Sequence, residues 1–134
     1  MKNTEVSEIV LFYDTDCGGV VSNIAYLRFV EKARAALFSN LGMGLKEMSE
    51  SQLFPVVVRT EIDYLYPARL GDEVLISARL SDVGKVRAVC EFSLTVEGVD
   101  GETKAIANAK QTVALVQMPS GRPKRLPQEW VLEG

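Results

Sequence analysis

The chain has 134 residues, 47% hydrophobic and 25% charged, with a formal charge of -3, the make-up of one globular domain large enough to bury a core. Its acidic balance removes any global attraction for nucleic acid, no run reaches membrane-spanning length, and Met1-Lys2-Asn3-Thr4-Glu5 lacks the basic and apolar regions of a signal peptide, so a cytoplasmic protein with neither nucleic-acid nor membrane partners is expected. Histidine is absent, which excludes Ser-His and Cys-His nucleophile pairs and the usual zinc sites and leaves acid-base work to carboxylates, lysine, tyrosine or water.

Residues 5–13 (Glu-Val-Ser-Glu-Ile-Val-Leu-Phe-Tyr) predict a strand, with Ile9, Leu11 and Tyr13 alternating against Val10 and Phe12. Next comes Tyr13-Asp14-Thr15-Asp16-Cys17-Gly18-Gly19-Val20-Val21-Ser22-Asn23, in which two carboxylates precede a double glycine and the glycines precede the longest helix the sequence can make. That helix is predicted over 23–41. The interval holds neither proline nor glycine, Ser22 or Asn23 can cap its start, and Gly42 stands where a left-handed C-cap belongs. Tyr26, Phe29, Val30, Ala33 and Leu37 share one side at helical spacing, and Leu27, Ala35, Ala36 and Phe38 widen the apolar arc beyond an ordinary amphipathic stripe. Such a helix needs cover on more than one side.

The loop-to-helix junction has a chemical use. A helix N-terminus offers unpaired N–H groups and partial positive charge to an oxygen that gains negative charge, and a carboxylate on the approaching loop can act on the same centre as nucleophile or general base. An acyl group suits such a site. Asp14 and Asp16 are the carboxylates concerned, and either can also brace the turn. Cys17 is a second candidate nucleophile, without a histidine to activate it. Cys17 and Cys90 fall in a loop and in mid-strand, contexts that argue against a disulfide. Glu31 lies about eight residues, roughly 12 Å, along the helix from Asn23, and pairing with Arg28 or Arg34 at helical spacing is expected. Gly18 and Gly19 permit positive φ and close backbone approach.

After a short polar stretch over 42–51, with one helical turn at 45–48, strands dominate. Val56, Val58, Thr60, Ile62 and Tyr64 alternate with Val57, Arg59, Glu61 and Asp63, which predicts a strand with the first set turned to the core. The Pro- and Gly-containing stretch 66–72 is a turn. Val74, Ile76, Ala78 and Leu80 form the next buried row, a turn follows at 82–84, and Val86, Ala88, Cys90, Phe92, Leu94 and Val96 form another row long enough to require a curved sheet. A hairpin loop at 98–102 leads to a last long strand over 103–116. The tail over 119–127 is basic and turn-rich, and irregular structure is expected there. Neither repeat nor domain boundary interrupts 1–134.

One strand, one long helix and four strands in hairpin succession make an α+β domain in which a curved antiparallel sheet wraps the helix. On these residues the whole chain resembles the hotdog fold. Tyr13-Asp14-Thr15-Asp16-Cys17-Gly18-Gly19-Val20-Val21 followed by Tyr26-Leu27-Arg28-Phe29 and Glu31-Lys32-Ala33-Arg34 is similar to acyl-CoA thioesterases of the 4-hydroxybenzoyl-CoA thioesterase type, and Tyr64-Leu65-Tyr66-Pro67-Ala68 with Gly71-Asp72 forms a second matching block. The resemblance implies hydrolysis of an acyl-CoA to free acid and coenzyme A, with neither metal nor bound organic cofactor. It implies Asp16 as nucleophile or general base, a backbone N–H near Asn23 holding the carbonyl oxygen, and Gly19, Val20, Ser22 and Tyr26 along the substrate. Family members form homodimers in which the sheets join and the sites lie between subunits, and many form homotetramers. Many relatives carry an aromatic residue where Ser22 stands and His or Tyr where Asn23 stands, so the acyl pocket differs here.

For the coenzyme A phosphates the candidates are Lys85 and Arg87, two apart on one strand face, with Arg122, Lys124 and Arg125 as a second cluster. Two alternatives accompany this reading. One is a 1,4-dihydroxy-2-naphthoyl-CoA thioesterase of quinone biosynthesis, since the segment 122–130 is similar to such enzymes; the other is a non-catalytic acyl-CoA-binding protein of the same fold.

Overall fold

The computed structural model describes residues 3–16 and 19–133, the last three by backbone alone. Cys17 and Gly18, considered above as nucleophile and pivot, lie outside these residues.

The long helix is α1 (Asn23–Asn40). Ser22 caps it, its Oγ accepting from the Ala25 N–H at 3.3 Å. At the other end Gly42 takes φ +86°, the Met43 N–H reaches Phe38 O at 2.7 Å and the Gly42 N–H reaches Ser39 O at 3.2 Å, the two bonds of a Schellman ending. A cap contributes about 1 kcal/mol. Burying each of Phe29, Val30 and Leu37, none more than 1% exposed, contributes about 1.5–3 kcal/mol, so packing against the sheet outweighs capping in holding α1.

The sheet is antiparallel throughout and holds β1 (Thr4–Ile9), β2 (Leu53–Tyr64), β3 (Glu73–Val83), β4 (Arg87–Glu97), β5 (Thr103–Gln117) and β6 (Arg122–Lys124). Its order is β1-β3-β4-β5-β2, with β6 on the C-terminal end of β5 beyond the start of β4. The rows Val74, Ile76, Ala78, Leu80 and Ala88, Cys90, Phe92, Leu94, Val96 face α1 as the alternation predicts, and all are buried, whereas Val86, expected to begin the second row, lies in the turn before β4 and is exposed. Three register shifts bend the sheet around the helix, between Val57 and Arg59, between Leu80 and Asp82, and opposite Leu94 and Thr95, where Ile106 is the extra residue of β5.

The first of these shifts corrects the reading of β2. Val56 and Val58 are 41% and 45% exposed, while Val57 and Ile62 pack against the core. Inward positions five apart break a period of two, and the bulge at Val58 supplies the missing step. The first strand also ends earlier than predicted, at Ile9. The polar stretch holds a two-turn helix, α2 (Leu45–Ser51), where one turn was expected. The tail is ordered rather than irregular. It forms β6, then α3 (Gln128–Glu133), which buries Trp130 and stacks its ring on Phe38 at 5.5 Å and 15°.

α1 runs the length of the sheet. At its start lie the ends of β1 and β2 and the beginning of β3; at its finish the Asn40 amide donates to Thr4 Oγ1 at 2.9 Å beside the start of β1. One flank stays uncovered, with Ile24 75% and Leu27 43% exposed. No helix among the described residues is long and apolar enough to cross a membrane.

Candidate active site

Asp14 explains why the first strand stops. Its Oδ2 accepts the Leu11 N–H at 3.0 Å, drawing the chain into a 3-10 turn over Phe12–Asp14, and the Thr15 N–H and Oγ1 both bond Phe12 O. The same carboxylate is 2% exposed and forks with Arg28, Nε to Oδ1 at 3.1 Å and Nη2 to Oδ2 at 2.8 Å. Asp14 thereby raises the guanidinium's pKa, partial burial opposing it. Arg28 also meets Glu8 at 3.4 Å, and Lys32 meets Glu8 at 3.1 Å. Asp14 is therefore committed to the scaffold.

Asp16 stands two residues on and is exposed. Its own N–H bonds Val20 O at 3.1 Å, its carbonyl accepts the Gly19 N–H at 3.1 Å, and Gly19 takes φ +74°, so Asp16 and Val20 face each other as the two legs of a hairpin that needs glycine at position 19. Ser22 N–H to Asp14 O at 2.8 Å and the Thr15–Val21 bridge close its base. Its outer leg pairs with 68–70: Val21 N–H to Ala68 O at 2.8 Å, Leu70 N–H to Gly19 O at 3.1 Å, and a Val20–Arg69 bridge. Among the described residues no side chain bonds the Asp16 carboxylate.

Asn23 opens α1 beside this hairpin. Ser22 takes the Ala25 N–H, so the N–H groups of Asn23 and Ile24 are the ones that lack an intrahelical acceptor. Asn23 borders a cleft of about 340 Å³ lined also by Val21, Tyr26, Tyr64, Leu65, Tyr66 and Pro67. Tyr26 is buried edge-on between Phe29 and Tyr64, at 6.3 and 5.1 Å, and its Oη accepts the Ala68 N–H at 3.5 Å. Burial pushes its pKa up, so near neutral pH it is a phenol and not a base. Asp16 is the exposed carboxylate of the loop that leads from the 3-10 turn to this end of α1.

The 64–67 wall belongs to the second block of the family resemblance, Tyr64-Leu65-Tyr66-Pro67-Ala68, whose residues carry no role in the sequence reading. It reaches the cleft through the β5 bulge, because the Ile106 carbonyl accepts both the Leu65 N–H at 2.9 Å and the Tyr66 N–H at 3.3 Å. Register of that kind leaves no local signal; only the aromatic and proline content of the stretch marked it.

Gly19, Val20, Ser22, Asn23 and Tyr26 thus gather with Asp16 at one end of the molecule. Lys85 and Arg87 do not. Lys85 sits in the β3–β4 turn, where its carbonyl accepts the Leu126 N–H at 2.8 Å, and Arg87 opens β4 opposite Ala114, about ten residues of strand or roughly 30 Å from the Asp16 end. Arg122 and Lys124, on β6, share that far end. Glu31 lies 4.0 Å from Arg34, whose guanidinium is held chiefly by Gln111 Oε1 at 2.7 Å. Cys90 is a buried thiol pushed up to about 12 by desolvation, and is chemically quiet.

Comparison with known proteins agrees with this geometry. Residues 10–133 match the model of the family described as the thioesterase-like superfamily. An acyl-CoA thioesterase, YbgC, of Haemophilus influenzae is 31% identical over 121 residues, 90% of this chain and 85% of that protein. A 1,4-dihydroxy-2-naphthoyl-CoA hydrolase of Synechocystis is 24% identical over 122 residues, 90% of this chain and 86% of that protein. In fold, the 4-hydroxybenzoyl-CoA thioesterase of Pseudomonas sp. strain CBS-3 superposes with a TM-score of 0.86 at 15% identity, over 98% of this chain and 99% of that one.

Proposed function

The chain belongs to the thioesterase-like superfamily, and from that membership we propose that it is an acyl-CoA thioester hydrolase with Asp16 as its reacting carboxylate. The observation that carries the reading is one juxtaposition: an exposed carboxylate on the braced loop that leads into α1, the N–H groups that begin α1 without an intrahelical acceptor, and a cleft at Asn23 walled by Tyr64, Leu65 and Tyr66. The thioester carbonyl oxygen faces those N–H groups, which stabilise the negative charge it gains in a tetrahedral intermediate. Asp16 either adds to the carbonyl carbon, expelling the thiolate and leaving an anhydride that water opens, or takes a proton from the water that adds. Both routes break the C–S bond and yield a carboxylate and the coenzyme A thiol.

Free-thiol release from a panel of aliphatic and aromatic acyl-CoAs tests this, and steady turnover of at least one series is expected. Binding without thiol release from any of them would instead fit the non-catalytic alternative. Marked preference for 1,4-dihydroxy-2-naphthoyl-CoA would select the quinone-pathway reading, which the Synechocystis relative supports.

The working form is a homodimer or larger assembly. β2 is an edge strand whose outer side carries exposed Val56 and Val58, and the uncovered flank of α1 presents Ile24 and Leu27 alongside. An unpaired edge strand of twelve residues, apolar over 53–58, calls for a partner strand. If two β2 edges pair antiparallel, the far end of one chain meets the Asp16 end of the other, which is how Lys85 and Arg87 serve as phosphate ligands across subunits. Light scattering at micromolar concentration should give a dimer or tetramer. Changing Lys85 and Arg87 to Ala should raise KM with kcat nearly unchanged. A fully active monomer would refute the assembly, and an unaltered KM would move phosphate binding to Arg122, Lys124 and Arg125.

A further inference from the structure

We infer that Asp14 and Arg28 act as a positioning pair that sets where Asp16 stands against the N-terminus of α1; the inference rests on Asp16 being the reacting carboxylate. The hairpin carrying Asp16 is held on its outer leg by backbone bonds to 68–70 and at its base by the Ser22 N–H. Its first leg, from Leu11 to Asp14, is tied to the body of the helix by the Asp14–Arg28 fork, across fourteen residues of sequence.

The fork fixes direction as well as distance. Nε and Nη2 each meet a different carboxylate oxygen, Oδ2 also takes the Leu11 N–H, and the guanidinium lies 4.9 Å from the Phe29 ring centre and 5.8 Å from that of Tyr13. Arg28 is itself on the second turn of α1, the helix whose N–H groups face the cleft. One side chain of the helix therefore grips the loop that must stay in register with the helix end. A displacement of about 1 Å at a reacting group can cost on the order of 10²-fold in rate. A bidentate pair is a means of preventing that displacement, and a lysine, a point charge on a flexible stem, cannot reproduce it.

The competing account is that the pair only stabilises the fold, since any buried ion pair is costly to break. Steady-state kinetics on one acyl-CoA, with thermal unfolding, separate the two. The set is Arg28→Lys, Arg28→Met, the double variant Asp14→Asn with Arg28→Met, and Asp16→Asn as reference. Arg28→Lys should lower kcat about 10-fold with KM unchanged. The double variant leaves no carboxylate buried without its cation, so it should recover the stability that Arg28→Met loses and yet keep the low kcat.

Normal kcat in folded Arg28→Lys, or in the double variant, overturns the positioning role even if Arg28→Met does not fold. If Asp16→Asn keeps wild-type turnover, the catalytic reading falls and this inference with it. An inactive Asp16→Asn beside a normal Arg28→Lys defeats the positioning pair alone.

Discussion

Asp16→Asn should lower kcat by about 10²-fold or more while leaving acyl-CoA binding in place. The amide has the size of the carboxylate but is a poor nucleophile and cannot take a proton from water near neutral pH. Because Asp16 is exposed and its hairpin is held through backbone groups, the substitution should leave folding essentially intact, so the loss can be assigned to chemistry. The contrast with Asp14 sharpens the test. Asp14→Asn removes a buried charge from Arg28 and weakens the Leu11 contact, and should appear first as a loss of stability, about 1–3 kcal/mol since Arg28 is partly solvated. Thiol-release kinetics with a direct binding measurement on both variants decide the matter. Near wild-type turnover in folded Asp16→Asn would end the proposed mechanism, and a kcat loss confined to Asp14→Asn would transfer the chemistry to that residue.

The largest stability effect is expected far from the chemistry, at Trp130. Its ring is 1% exposed, stacks on Phe38 and closes the end of the core where α1 finishes. Trp130→Ala should cost about 3–5 kcal/mol, from lost burial and the cavity left behind. At about 3–5 °C per kcal/mol for a domain of this size, Tm should fall by roughly 10–25 °C. Among the described residues the indole N–H has no hydrogen-bond partner, so Trp130→Phe forfeits no bond and should keep most of the stability. Catalysis by the protein that remains folded should be little changed, because Trp130 and Asp16 lie at opposite ends of α1. A Tm shift of only a degree or two by calorimetry would mean that α3 contributes little to the fold.

What the sequence by itself determined are the features whose cause is local. Ser22 and Gly42 delimit α1 because a side-chain oxygen and a residue free to adopt positive φ satisfy the orphan groups at a helix's ends within a few residues. The alternations in β3 and β4 show which face is buried because the strand period is two and one side meets the core. Asp16 beside a helix start was legible for the same reason, with the resemblance to a thioesterase family supplying the role proposed for it.

Only the tertiary structure decided what depends on partners distant in the chain. Asp14 and Asp16 read alike in sequence, and an arginine fourteen positions on separates the buried brace from the exposed carboxylate. The bulge at Val58 reverses the face of β2 midway, and the one at Ile106 brings the 64–67 wall to the cleft; both arise from pairing with another strand, where one extra residue moves side chains to the opposite face. Lys85 and Arg87 read in sequence as neighbours on one strand face with nothing near them to say which end of the sheet it occupies; the hairpin order puts them at the end away from Asp16, Lys85 in the β3–β4 turn and Arg87 at the start of β4. The polar tail looked irregular because its anchor is a single tryptophan, whose burial depends on Phe38 lying nearly a hundred residues earlier. Local preference is too weak to settle such contacts; they form when packing of the whole sheet and helix outweighs the conformational entropy lost in bringing distant segments together.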